Sequence, residues 1–292
     1  MKSLFAAITL VTLSAGASLA ADMQAPVLKA APAVVTNSWS GFYLGAAAGA
    51  RATDHDLNIR AIDELFVGGF AQNDFPLCTT NTPPCSSGAT FRNTAFRVGP
   101  YAGYNVQFAN RWVAGIEADW AWADQTTTQG GFKFFLGGVG LPPDSTFAIK
   151  SGWDASLRGR IGFLATPTLL FYGTGGAAWL QADVTSNCGP VSCFQPIVGP
   201  PIVTHSSVRT GWTAGGGVEA MFGSNWIARA EYRYSDYGSS GYTDVRPCTS
   251  APGLNCNAAT SINVAYNVSY RTHTAMFGLA YKFGDAAVVA RY

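Results

Sequence analysis

Between Trp112 and Asp124 the chain reads WVAGIEADWAWAD, and its polarity alternates with a period of two. Successive side chains of a strand point to opposite faces. Trp112, Ala114, Ile116, Ala118, Trp120 and Trp122 then share one face; Val113, Gly115, Glu117, Asp119, Ala121 and Ala123 share the other. On a helix the Trp, Glu and Asp positions would scatter around the cylinder. A wholly apolar face backed by a small, acidic one suits two settings. In a soluble sheet the apolar face is core and the acidic face is surface. In a transmembrane barrel the apolar face meets lipid and the acidic face meets the lumen.

The pattern recurs along the chain. Alternating segments are predicted at Trp39–Arg51, Thr94–Phe108, Trp112–Asp124, Gly152–Ala165, Leu169–Val184, Val208–Phe222, Trp226–Tyr237 and Tyr270–Phe283. Tight turns at Ala109–Arg111, Pro167 and Gly223–Asn225 alternate with long polar connections at about 52–90, 125–150, 185–207 and 238–268. Short and long connections alternate in this way when hairpins cross a membrane with short periplasmic turns and long external loops. Each segment is of the length a tilted strand needs to cross the hydrocarbon layer. Pro100 falls inside the second segment, where a proline removes a ladder donor.

Composition supports this reading. Charged residues make up 12% of the chain and aromatics 13%, with 33 glycines. Hydrophobic content is 48%, yet after the N-terminal region no run is long and apolar enough for a membrane helix. The apolar residues are dispersed by alternation. At the N-terminus, Lys2, the apolar run Leu4–Leu13 and the small residues ending at Ala20 have the layout of an export signal, with cleavage expected after Ala20. Residues 21–38 then read as a flexible periplasmic lead-in, and 39–292 as an outer-membrane barrel. Loss of Lys2 with the signal leaves 17 of the 18 Lys+Arg against 17 Asp+Glu, zero net charge, which excludes a strongly basic nucleic-acid binder.

The polar faces carry both signs: Glu117, Asp119, Asp154, Glu219 and Glu231 against Arg97, Arg158, Arg160, Arg229, Arg233 and Lys282. A barrel of about eight strands is just filled by its side chains. These charges are therefore expected to pair as a network inside the lumen. A solvated face of a secreted sandwich is the competing reading.

Four phrases carry a resemblance: WSGFYLGAAAG at Trp39–Gly49, LFYGTGGAAW at Leu170–Trp179, ARAEYRYSDYG at Ala228–Gly238 and GLAYKFGDAAVVARY at Gly278–Tyr292. In this order the chain resembles the small outer-membrane β-barrel family common in alphaproteobacteria, related in architecture to the transmembrane domain of outer membrane protein A. The resemblance implies an all-β, antiparallel up-and-down barrel in the outer membrane. It also implies a porin-like or immunogenic surface protein with little defined chemistry. Its partners would be outer-membrane lipid and lipopolysaccharide, the barrel assembly machinery, and an external ligand or host surface reached through the loops. Tyr292 resembles the terminal aromatic residue read by that machinery, although Phe283 could instead close the last strand.

The cysteines fall two to a connection, Cys78 and Cys85, Cys188 and Cys193, Cys248 and Cys256, and the expected compartment is oxidising. Three local disulfides are expected, although six cysteines allow 15 connectivities. Their spacing does not suit a metal, and no cofactor is expected. The His205-Ser206-Ser207 run suggests a lipid-acting hydrolase only if an acid lies in reach, and none adjoins it in sequence. The leading reading is a structural surface barrel without enzymatic activity; a narrow diffusion channel is second, and a lipid-acting enzyme or a haem- or ligand-binding surface protein is third and disfavoured.

Overall fold

The computed structural model describes residues 38–64, 88–132, 135–136, 139–140, 145–187, 202–223, 225–247 and 261–284. The expected signal peptide, nearly all of the lead-in, the six cysteines and Tyr292 lie outside these residues.

The strands are β1 (Gly41–Glu64), β2 (Gly88–Phe108), β3 (Trp112–Ala121), β4 (Gln125–Phe132), β5 (Phe135–Leu136), β6 (Val139–Gly140), β7 (Ser145–Thr166), β8 (Leu169–Asn187), β9 (Ile202–Phe222), β10 (Trp226–Pro247) and β11 (Ser261–Phe283). All except the small β5–β6 hairpin belong to one antiparallel sheet, ordered β3-β2-β1-β11-β10-β9-β8-β7-β4. The pairing of β3 with β7 closes that sheet into a ring. β3 and β4 occupy a single place between β2 and β7, one above the other, so the barrel has eight positions. Closure leaves no sheet edge in the lipid layer, which is what a membrane-crossing sheet requires.

Alternation sets the two faces. On β3, Trp112, Ile116 and Trp120 point outward, with Ile116 64% exposed, while Glu117 on the opposite face is 2% exposed. Aromatic side chains ring the exterior at two heights. Phe42, Phe108, Trp112, Phe163, Phe171, Trp226 and Phe283 stand near the tight turns, and Phe96, Trp120, Trp122, Trp212 and Tyr232 stand a span higher. Two such girdles bracketing an apolar band mark the two membrane interfaces, and the short turns mark the periplasmic end.

The strands run well past the upper girdle. Much of the sequence expected as loop, including 52–64, 88–90, 145–150, 202–207, 239–247 and 261–268, is strand. Outside lipid the outer face of a strand is wetted and polar, so the alternation that marks a membrane segment fades there although the ladder continues. The inner face changes in the opposite sense. Leu57, Phe91, Phe147, Ile149, Leu180, Val184, Tyr266, Val268 and Tyr270 fill the extension.

Two bulges lie at the boundary between these zones. On β7 the register shifts between Ser151 and Asp154, and both of those residues point inward. On β10 the shift falls between Asp236 and Ser239, with Gly238 at φ 70°, and inward positions change from Ser235 and Tyr237 to Tyr242 and Asp244. An extra residue on one strand re-aims everything beyond it.

Pro100 marks a third irregularity. Val98 exchanges both backbone bonds with Trp122, at 3.0 and 2.9 Å. The ladder would next need an N–H from residue 100, which proline lacks, and regular β2–β3 pairing begins only at Tyr101↔Asp119. Above Trp122 no backbone ladder joins β2 to β4 among the described residues. Asn93 Nδ2 donates to the Thr126 carbonyl and Gln129 Nε2 to the Thr90 carbonyl, both at 3.4 Å, so side-chain amides bridge this seam.

Candidate functional site: the barrel lumen

The lumen is filled in three layers. At the periplasmic end Tyr43, Val113, Leu164, Leu170, Met221 and Ile227 pack together with Trp39. Trp39 precedes β1, but its indole Nε1 donates to the Pro167 carbonyl at 3.0 Å, in the turn on the opposite side of the ring. It therefore spans the lower mouth. Lys282 belongs to this end: its Nζ donates to the carbonyls of Gly284 (2.8 Å) and Ser40 (3.4 Å).

Above this plug lies a charged layer in two tiers. In the lower tier Glu117 accepts from Arg158 at 2.5 Å, Arg160 at 3.4 Å and Arg229. Glu219 lies 2.7 Å from Arg160 and 2.6 Å from Arg229, and Glu231 lies 2.8 Å from Arg158. Tyr43 donates to Glu117 at 2.7 Å and Tyr172 to Glu231 at 2.6 Å. Arg160 stands over the Tyr172 ring at 4.1 Å and Arg229 over Tyr101 at 4.2 Å, each contact worth about 0.5–2 kcal/mol.

In the upper tier Asp119 is 2.5 Å from Arg97, 2.8 Å from Arg233 and 3.3 Å from Arg158, and it also accepts from Ser156. Asp154 is 2.6 Å from Arg97 and 2.7 Å from Arg51. All of these charged side chains are buried. The pairs Arg229–Glu117 and Arg233–Asp119 join β10 to β3, four positions apart in an eight-position ring, so they cross its full width.

Glycines make room for this packing. A Cβ at Gly103 would collide with the Tyr43 hydroxyl, and one at Gly217 would lie 2.8 Å from that of Tyr172. The tyrosines reach their carboxylates only because the facing wall is bare.

The expected network residues meet here: Arg97, Glu117, Asp119, Asp154, Arg158, Arg160, Glu219, Arg229, Glu231 and Arg233, with Lys282 set lower. Sequence reading missed Arg51, Tyr43, Tyr101, Tyr172 and Ser156. Arg51 had a legible signal, since it has the same parity as Tyr43 on β1. That Arg229 would meet Glu117 on the opposite wall had no signal in the sequence.

The third layer is the aromatic cluster of the extension. His55, 2% exposed, bonds through Nε2 to the Ser151 hydroxyl at 3.1 Å and packs edge-on against Tyr270. On the outer face at this height Asp54 pairs with Arg92 and Asp56 with Arg271, so this level stands in water beyond the lipid. Burial, aided by the adjacent Arg51 guanidinium, pushes the His55 pKa down to about 4. His205 now has its acid: Asp244, 39 residues away, lies 2.6 Å from Nε2. The nearby Ser186 donates to this same carboxylate, not to the imidazole. That places the acid between the other two groups, whereas a nucleophilic triad needs the base there. Phe283 ends β11 on the exterior, its ring tilted against Phe42 (5.7 Å) and edge-on to Tyr281 (5.1 Å).

A closed antiparallel ring with a lipid-facing belt and a charged, filled interior defines an integral outer-membrane β-barrel protein. The chain belongs to the outer membrane protein beta-barrel domain family, whose model matches residues 4–283. Over 287 residues it is 29% identical to the 31 kDa outer-membrane immunogenic protein of Brucella melitensis, covering 97% of this chain and all of that one. The 22 kDa outer membrane protein of Rhizobium leguminosarum bv. viciae is 28% identical over 212 residues, 73% of this chain and 71% of that one. Among solved structures, outer membrane protein OprG of Pseudomonas aeruginosa aligns over 84% of this chain and 97% of its own, with 16% identity and a TM-score of 0.46. The protein resides in the outer membrane.

Proposed function

We propose that the protein is a closed, structural barrel that holds a surface-exposed extension and its connecting loops above the outer membrane, and that it neither conducts solutes nor catalyses a reaction. One observation carries this: the charged layer is tied by ion pairs across the ring and is capped by apolar and aromatic packing at both ends. A diffusion channel needs a continuous wet path, and cross-ring ion pairs between two dry plugs oppose one. Against catalysis stands the order of the His205, Asp244 and Ser186 groups. The immunogenic naming of the Brucella relative supports surface display. On this reading the partners are lipopolysaccharide around the upper girdle, the assembly machinery reading Phe283 or Tyr292, and an external ligand or host surface at the loops. Nucleic acid, metal and cofactor play no part. Local disulfides Cys78–Cys85, Cys188–Cys193 and Cys248–Cys256 would stiffen the display loops.

Purified protein in planar bilayers tests this. Insertion without discrete current steps is expected. Stable single-channel conductance that survives replacement of detergent and lipid would overturn the closed barrel in favour of a porin.

A further inference from the structure

We propose that the upper tier of the lumen binds a small monovalent anion of halide size. The lower tier is balanced, with Arg158, Arg160 and Arg229 facing Glu117, Glu219 and Glu231. The upper tier is not: among the described residues, Arg51, Arg97 and Arg233 share only Asp119 and Asp154. All five upper side chains are at least nine-tenths buried. A buried charge without a counter-charge is strongly unfavourable.

Other ionisable groups near this level do not supply the missing negative charge. His55 lies beside Arg51, and its lowered pKa of about 4 keeps it neutral at neutral pH. Asp244 is held by His205 and Ser186 within the outer cluster that also contains Arg209 and Tyr242. Lys282, at the far end, is itself a cation.

Hydrogen bonding points the same way. Arg51 Nε, Arg233 Nε and both amide atoms of Gln125 are buried with no hydrogen-bond partner among the described residues. Arg97 Nη1 donates to the Met276 sulfur, a weak acceptor, at 2.7 Å. Gln125 lies directly across the β4–β7 ladder from Ser151, whose carbonyl accepts from Arg51 Nη2 at 2.9 Å. Spare N–H donors and one excess positive charge therefore share a neighbourhood. A halide accepts N–H donors from any direction and cancels one charge. A dianion would reverse the imbalance, and a larger anion does not suit an eight-position interior already crowded by side chains.

The full chain, refolded in detergent, is unfolded by heat in sodium chloride and in sodium gluconate at equal ionic strength. The midpoint should rise with chloride concentration and stay fixed in gluconate. Crystals soaked in sodium bromide should show an anomalous peak between Arg51 and Gln125. Arg51→Met removes the excess charge and should abolish the chloride dependence. Gln125→Leu keeps every charge and should raise the chloride concentration needed several-fold, which preserves the test should Arg51→Met not fold. Equal midpoints in the two salts, a Gln125→Leu response identical to that of the parent, or bromide found only on the exterior (an adventitious ion only) would each overturn the proposal.

Discussion

The two halves of the barrel are built inside out relative to each other. In the membrane half, apolar and aromatic residues face outward and arginines and carboxylates face inward. In the extension, Asp54, Asp56, Arg92 and Arg271 face outward, while Leu57, Phe91, Tyr266, Val268 and Tyr270 face inward. One ladder serves both, because backbone pairing does not depend on what the side chains meet. What changes is the solvent: lipid tolerates only apolar contact, so polarity is sequestered inside, and water restores the usual order. The bulges on β7 and β10 fall at this boundary, where the faces must be re-aimed.

Charge reversal in the membrane half should have the largest effect. Glu117→Lys leaves Arg158, Arg160 and Arg229 without their shared carboxylate and should cost roughly 3–5 kcal/mol. Urea unfolding in lipid vesicles, read by the heat-modifiable band on gels, checks this; a midpoint equal to that of the parent would mean that the interior is wet.

Next comes the lipid face. Ile116→Lys, near the middle of the apolar band, should cost about 2–4 kcal/mol, whereas Trp120→Lys at the girdle should cost about 0–1 kcal/mol. Cysteine scanning gives a sharper version. Lipid-soluble reagents should mark 116, 118 and 120 and spare 117 and 119, while on β4 a water-soluble reagent should mark 126 and 128. The reverse pattern on β3 would put the barrel inside out.

Acid should affect the extension through His55. Its pKa is lowered to about 4 in the folded chain, against an ordinary value of 6.5, so the unfolded chain binds the proton first. Its contribution to stability is therefore complete above about 6.5 and is lost as pH falls towards 4, at roughly 1.4 kcal/mol per unit. Comparing the pH profile of unfolding with that of His55→Phe isolates this effect, since the variant should lose that slope.

The smallest change is expected on the wetted exterior. Arg92→Ala breaks an exposed pair with Asp54 and should cost under about 1 kcal/mol. A larger loss would show that this level is not in water.

Alternation alone assigned Glu117, Asp119, Arg158, Arg160, Arg229 and Arg233 to one face and Trp112, Ile116 and Trp120 to the other, because in lipid each strand's two faces differ sharply in solvent. It could not find the upper extension, where the outer face is polar like a loop and only hydrogen bonding marks the strand. It could not find the seam either, although Pro100 was visible, because the missing donor matters only once β3 lies beside it. Above all, it could not pair Arg229 with Glu117 or Asp244 with His205. Those partners sit on separate strands, and ring closure with its particular stagger decides which residues face each other across the lumen. A period of two records what each face touches; only the closed ring determines which side chain stands on the opposite wall.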